Sequence, residues 1–345
     1  MNKILSIVIP SYNCEKFLDK CVTSMLNEQI LDKLEIVIVN DGSSDSTEDI
    51  ANKYMGLYPG VVKAVSQENK GHGGALNTGL MNALGKYVKV IDADDWVETD
   101  NMPEFVKKLE SIDADVVLTH HYTTDISSGE VKKWMCYPPE FDKVYSFKHI
   151  MSDWRSYNRS LTFHGITYNT QFYKNNATPL AEHVFYEDHE YSTFPCCNAK
   201  KIVPLDMFIY NYRIGDVAQS VSDENQLKRL GHTSTVIDVM LEKYSKLRLP
   251  AKCKGREFAA MKIQVLLLSY LTTCLLVNKD RKQGRELAKE KMQMVKAKLP
   301  AVFELAKKQY GIFLIMNYMH ITKKTWTKIL SSKLYNRIRG NHDFS

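Results

Sequence analysis

Short apolar runs and amphipathic segments alternate through the first third of the chain. Leu5-Ser-Ile-Val-Ile-Pro10, Leu34-Glu-Ile-Val-Ile-Val39, Val61 to Ser66, Tyr87 to Ile91 and Asp115 to Leu118 read as strands. Between them, Cys14 to Glu28 has helical spacing, with Phe17, Leu18, Cys21, Met25 and Leu26 on the inner face. A second helix starts near Ser44, Asp45 or Ser46, residue types that cap well, and runs to about Leu57. A third runs through Met81 to about Leu84, where Gly85 stops it. Strands alternating with helices at this spacing predict a parallel sheet covered on both faces. Ligands bind such sheets at the carboxyl ends of the strands. The polar loops after the first, second and fourth strands should therefore converge on one crevice.

After Thr119 the pattern changes. Ser127-Ser-Gly-Glu130 predicts a hairpin turn, and Phe147 to Trp154 a helix. Thr162 to Asn169 and Ile202 to Arg213 read as strands, with a helix from about Glu187 to Cys196 between them. From about Asp223 helix follows helix, over 223–247, 255–277, 280–298 and 300–310. This divides the chain into an α/β part, 1–222, and a helical part, 223–345.

Composition adds one fact to this picture. The whole chain carries a net charge of +6, with 44% apolar and 25% charged residues, as an ordinary globular protein does. Residues 1–150 hold 15 Lys and Arg against 23 Asp and Glu, and 151–242 hold 8 against 11. Residues 243–345 hold 23 against 6, a local charge of +17 that calls for an acidic partner. The opening Met1-Asn-Lys-Ile-Leu-Ser reads as a strand entry and not as a secretory signal. The apolar stretch Val265 to Val277 falls short of the ~20 residues that span a bilayer. Seven cysteines without a Cys-x-x-Cys pair fit a reducing, cytoplasmic setting.

The fourth strand runs straight into Asp92-Ala93-Asp94-Asp95-Trp96. Three carboxylates at a strand end repel one another unless a cation or a set of donors neutralises them. Oxygen-only ligation there suits Mn²⁺ or Mg²⁺, with a substrate phosphate supplying further oxygens. A plain strand-to-helix turn is the other reading of these letters. Asp41, ahead of Gly42, can accept from a ribose hydroxyl or a base N–H, or bond its own turn. Gly71-His-Gly-Gly-Ala-Leu-Asn77 is no dinucleotide fingerprint: it follows the third strand, and the loop after the first, Ser11-Tyr-Asn-Cys-Glu15, has no glycine. Its glycines still suit close backbone approach to a nucleotide, or a helix start. Glu187-Asp188 can complement a helix start or provide a general base. His164, His183 and His189 are dispersed and read as surface or packing residues. Arg213, followed by Gln219-Ser-Val-Ser222, can pair with phosphate oxygens or with a carboxylate. In the last third, Gly311 to Met316 leads into Lys323, Lys324, Lys328, Lys333, Arg337 and Arg339, interleaved with Trp326, Ile329, Leu330, Leu334, Tyr335 and Ile338. That pattern suits an interfacial helix on anionic lipid. A helix packed on its own domain is the competing reading, and no nucleic-acid motif is present.

The four blocks Ser6-Ile-Val-Ile-Pro-Ser-Tyr-Asn13, Val39-Asn-Asp-Gly-Ser-Ser-Asp-Ser-Thr47, Asn69-Lys-Gly-His-Gly-Gly-Ala-Leu-Asn77 and Asp92-Ala-Asp-Asp-Trp96 closely resemble, in letters, order and spacing, the family 2 glycosyltransferases of the GT-A fold. The resemblance implies a Rossmann-like, mostly parallel sheet with flanking helices, here followed by the helical C-terminal region. It implies a nucleotide-diphosphate-sugar donor such as a UDP-sugar, a divalent metal, and inversion at the anomeric carbon. Pro10, Tyr12 and Asn13 then line the base and ribose, and Asp41 contacts the base; Asn69, Gly71 and Arg213 are further donor-site candidates on the grounds of their own loops and not of the resemblance. Asp92 and Asp94, with Ala93 between them, correspond to the metal-binding Asp-x-Asp. Asp188 corresponds to the catalytic base and Glu187 to its neighbour. His72 stands where members often carry Arg, and the aromatic acceptor-loop motif is not evident. The function implied is transfer of a sugar to a hydroxyl of a glycan or lipid-linked glycan, in capsule, exopolysaccharide or other surface-glycan synthesis. The chain would work at the inner face of the cell membrane, and its C-terminal helices could pair two copies. A GT-A-like nucleotidyltransferase would need a glycine-rich basic loop after the first strand, which Ser11 to Glu15 is not. A non-catalytic membrane-recruited scaffold would have no use for the intact set of acids.

Overall fold

The structure is a computed structural model that describes residues 3–215 and 223–330. The first part of the chain gives β1 (Leu5–Ser11), α1 (Glu15–Met25), β2 (Leu34–Asp41), α2 (Thr47–Leu57), β3 (Val62–Gln67), α3 (Gly71–Asn82) and β4 (Tyr87–Val90). Every residue of β1, β2 and β4 is buried, which is why these strands read as near-continuous apolar runs. β1 pairs in parallel with β2 and β4, and β2 with β3. Pro10 does not end the first strand: it lies inside β1 opposite Val39, and the ladder closes one step later at Ser11↔Asn40. All four strand ends therefore reach one edge of the sheet.

The continuation is β5 (Trp96–Val97), α4 (Met102–Ser111), β6 (Val116–Asp125), β7 (Val131–Trp134), α5 (Phe147–Ser152), α6 (Trp154–Tyr157), β8 (Ile166–Asn169), α7 (Thr170–Asn176), α8 (Asp188–Tyr191) and β9 (Ile202–Ile214). The sheet order is β3-β2-β1-β4-β8-β6-β9-β5, with β7 on β6. The expected fifth strand begins β6 but does not lie beside β4. β8 is inserted between them, antiparallel to both. The hairpin expected at Ser127 to Glu130 joins β6 to β7, with Gly129 at φ +74° in the turn. The helix expected over Glu187 to Cys196 shortens to α8 and a 3-10 turn at Cys196–Asn198. Pro195, without an amide hydrogen, cannot continue it.

The helical region comprises α9 (Asp223–Lys228), α10 (Leu230–Lys246), α11 (Lys254–Thr272) running on as a π-turn (Thr273–Val277), α12 (Arg281–Lys298), α13 (Pro300–Tyr318) and α14 (Lys323–Leu330). The chain divides into two compact units, Met1–Gln219 with Leu247–Ala259, and Ser220–Lys246 with Ala260–Ser345. The second unit packs Val236, Ile237 and Met240 of α10, Leu267 and Leu271 of α11, Met292 and Val295 of α12, and Val302 and Phe313 of α13 into its interior. Asp280 caps α12 by accepting from the Gln283 N–H at 2.9 Å. Two expectations change here. α13 runs past residue 310 to Tyr318, so Gly311 to Met316 belongs to it, with Phe313 and Met316 buried. The helix Lys254–Val277 is long and apolar enough to cross a membrane, because it extends upstream of Val265; 56% of its apolar window is nevertheless buried, as in a core helix. Gln219 to Ser222, and Lys333, Leu334, Tyr335, Arg337, Ile338 and Arg339, lie outside the described residues.

Candidate active site

At the β2 end, Asp41 is buried. Its Oδ1 accepts from Gln67 Nε2 at 2.7 Å and from the Lys70 N–H at 2.9 Å. Its Oδ2 is buried without a hydrogen-bond partner among the described residues. Leaving a buried carboxylate oxygen unpaired costs free energy, so this atom is set up for a ligand donor. Asn69 Nδ2 donates to the Asp41 carbonyl at 2.9 Å and holds the loop under it. Asn13, at φ +48°, accepts from the Ser44 N–H at 2.8 Å, while its own N–H donates to Ser43 Oγ at 3.0 Å. The loops after β1 and β2 are thus tied together, and Tyr12 stands 55% exposed above them.

The next loop brings the distant Glu187 into place. Gly71 sits at φ +75°, and a Cβ on Gly73 would come within 2.1 Å of the Ala181 carbonyl oxygen. Only glycines let the start of α3 lie flush against the segment before α8. His183 and Tyr186 take positive φ values, +56° and +77°, in that segment. Non-glycine residues there are strained, as they often are beside functional groups. The result is that His72 Nδ1 meets Glu187 Oε1 at 2.5 Å, and His72 Nε2 meets Asp92 Oδ1 at 3.0 Å. Burial alone would lower the pKa of His72, but the two carboxylates outweigh it and hold the imidazole well above its usual value. His72 is a cationic bridge between two acids. No feature of the sequence around it announced that role.

The three strand-end aspartates separate into different jobs. Asp95 is buried: Tyr210 donates its hydroxyl to Oδ2 at 2.5 Å, and the Arg213 N–H donates to Oδ1 at 2.7 Å. It fastens the loop after β4 to β9. Asp92 and Asp94 remain partly exposed, with side-chain exposures of 27% and 40%. Burial, and then the charge of Asp92, push Asp94 up to about 6. Arg213 Nη1 lies 3.9 Å from Asp94 Oδ2, and the guanidinium covers the Phe17 ring at 4.6 Å. Asp188 opens α8, and among the described residues no hydrogen bond or ion pair holds its carboxylate. Asp41, Asp92, Asp94, Glu187, Asp188, Asn69, Gly71, Tyr12, Asn13 and Arg213 are therefore brought to one edge of the sheet. Pro10 lies inside β1, opposite Val39, one residue before that edge.

Among the described residues no group of three His, Cys, Asp or Glu side chains gathers as a metal site. Asp92, with one oxygen on His72, and Asp94, 3.9 Å from Arg213, offer hard oxygen ligands whose charges repel one another. That donor set fits a divalent cation whose remaining ligands come from substrate and water.

Beyond Asp92 lies a wall the sequence did not reveal. His164 stacks on Tyr212 at 4.4 Å and lies 5.1 Å from His121, which stacks in turn on Trp134 at 6.0 Å. Lys89, fully buried in β4, donates to the His164 carbonyl at 2.7 Å and to that of Ile166 at 3.3 Å. Burial draws its ammonium down to about 7.

Comparison with known proteins places this geometry. The model of Glycosyl transferase family 2 matches residues 6–176. Glycosyltransferase GlyA of Streptococcus pneumoniae serotype 4 is 29% identical over 216 residues, 61% of this chain and 30% of that protein. Glycosyltransferase GlyG of the same organism is 35% identical over 130 residues, 37% of this chain and 42% of that protein. Chondroitin synthase of Escherichia coli is 43% identical over 97 residues, 28% of this chain and 14% of that protein. The chain thus spans less than half the length of these curated relatives. The crystal structure of S. aureus TarS 1–349 in complex with UDP-GlcNAc has a TM-score of 0.62 at 18% identity, covering 99% of this chain and 93% of that one, a likeness of fold.

Proposed function

Because the chain belongs to the family 2 glycosyltransferases through residues 6–176, we propose that it moves a sugar, with inversion, from a UDP-sugar to a hydroxyl of a surface-glycan acceptor. The observation that carries this reading is Asp41, whose Oδ1 is held by Gln67 and Lys70 while Oδ2 is buried and unpaired. A uracil or other base N–H directed at Oδ2 satisfies it. The loop that holds Oδ1 leads within two residues to His72 and so to Asp92. A base on Asp41 therefore leaves its diphosphate near Asp92 and Asp94.

Family members commonly use divalent metals, and Asp92 and Asp94 would hold Mn²⁺ or Mg²⁺ here. Such an ion supplies positive charge to the leaving diphosphate. The protein's own groups do the rest. Tyr12, Asn13, Asn69 and Gly71 shape the nucleotide loops, and Arg213 adds a guanidinium near the phosphates. Asp188 takes the proton of the acceptor hydroxyl as its oxygen attacks the anomeric carbon opposite the diphosphate. Glu187 is committed to His72, and so positions the site without moving the proton. A thermal-shift screen of UDP- and GDP-sugars with Mn²⁺ tests the reading. At least one UDP-sugar should raise the melting temperature; a flat response to all of them would sink it.

The acceptor is then a glycan, lipid-linked at a membrane surface. Support for that setting comes from the +17 charge of residues 243–345 and from α14, where Lys323, Lys324 and Lys328 flank a half-buried Trp326. Removing residues 323–345 spares α13. It should release most of the protein from vesicles containing anionic lipid, measured by co-sedimentation. Full retention of the truncated protein would rule out this attachment.

A further inference from the structure

We propose that Trp134, with the His121–His164–Tyr212 stack behind it, forms the acceptor wall, on which the sugar residues next to the reacting one lie. This rests on the sugar-transfer reading and names where its second substrate binds. The topology divides the site: Asp92 follows the central β4, and Asp41 lies to one side at the end of β2. His121 of β6, His164 just ahead of β8 and Tyr212 of β9 lie to the other side, at the same edge of the sheet. His164 sits in the field of both Asp92 and Asp188, and Tyr212 in the field of Asp95 first and then of Asp92, Asp94 and Asp188. The wall therefore begins at the reacting carboxylates. From His164 it runs outward in ring-to-ring steps of 5.1 Å to His121 and 6.0 Å to Trp134, about the length of a disaccharide.

Its chemistry suits a sugar. Sugar rings present flat C–H faces that pack on aromatic faces, and their hydroxyls need donors at the rim. Trp134 and His121 are parallel within 4°, so the indole is held in a fixed plane. Trp134 is 38% exposed on β7, all of whose residues are exposed. Arg159 holds its guanidinium over the indole, 5.6 Å from its centroid, where its N–H groups can donate to hydroxyl oxygens of a sugar at the exposed part of the ring. Burial keeps both imidazoles neutral, His164 at about 4 and His121 at about 2, so the stacked rings themselves carry no charge. His121 Nδ1 is buried without a partner, a cost that a phenylalanine would avoid. Lys89, bonded to the His164 carbonyl, fixes the inner end of the wall from below.

The test uses the whole chain and saturation-transfer NMR with cello- and chito-oligosaccharides of one to four residues. The wild-type protein should saturate the longer oligosaccharides, Trp134→Ala should weaken that binding about tenfold, and Trp134→Phe should restore most of it. Monosaccharide signals should be insensitive to the substitution, because a single residue does not reach Trp134. The thermal shift given by the nucleotide sugar should be the same in all three proteins. Equal saturation in wild type and Trp134→Ala, or none in the wild type, overturns the assignment. Absence of any nucleotide-sugar shift in the wild type fails the transferase reading itself, and the wall with it.

Discussion

Replacing Asp188 with asparagine is expected to lower sugar transfer by roughly a hundredfold to ten-thousandfold, the range for a lost general base. Nucleotide binding should persist. Two acids stand side by side at this point, and the structure separates their roles. Glu187 is 2% exposed, with Oε1 on His72 and Oε2 buried, so no acceptor hydroxyl can reach it. Asp188 is half-buried and its carboxylate is held by no hydrogen bond or ion pair among the described residues. An asparagine there keeps shape and polarity but accepts no proton at neutral pH. Glu187→Gln makes the contrasting variant. It removes the charge that holds His72 against Asp92, so its effect should fall on donor affinity as well as on turnover. Steady-state kinetics with each substrate varied, beside calorimetric titration of UDP, distinguishes the two. Wild-type turnover by Asp188→Asn would remove Asp188 from the mechanism.

The half of the site that proved legible in the sequence is the half built on strands covered on both faces. Continuous apolar runs in β1, β2 and β4 announce buried parallel strands, and the polar letters that end each run fall at one edge. That logic puts Asp41, Asp92 and Asp94 at the strand ends, while the roles expected of them came from the family resemblance. On the other side of β4 the strands were legible as Asp115 to Leu118, Thr162 to Asn169 and Ile202 to Arg213, but the rings that stack between them were not. β6 carries Thr119, His120, His121 and Thr123 in buried positions, where ring stacking replaces aliphatic packing. β8 falls inside the strand expected over Thr162 to Asn169, but it is four residues long and antiparallel, so no helix crossover announced its place between β4 and β6. His72 was missed for another reason. Its two partners lie 20 and 115 positions away, and only the close approach allowed at Gly71 and Gly73 brings them together. Asp95, undecided as a letter in a row of three acids, became interpretable once Tyr210 and the Arg213 N–H were seen on its two oxygens.

The same separation of aspartates makes Asp94→Ala the sharpest test of the metal. Asp94 spends free energy in the folded state: it is desolvated and faces the charge of Asp92, which a backbone hydrogen bond, Arg213 at 3.9 Å and the charge of His72 offset only in part. A group kept at a cost to folding is a group kept for binding. Removing it relieves the crowding, so the melting temperature of the ligand-free protein should hold level or rise. Asp95→Ala should lower it instead, by breaking the tie between the β4 loop and β9. Donor binding should move the opposite way. With Asp94 gone, one of two hard oxygen ligands is lost, and the gain in UDP-sugar affinity that Mn²⁺ confers on the wild type should shrink by roughly tenfold or more. Calorimetric titrations with Mn²⁺ and with a chelator give both numbers. If nucleotide affinity ignores Mn²⁺ in the wild type and is unchanged in Asp94→Ala, these carboxylates hold no metal, and their charge must be met by the protein or the substrate alone.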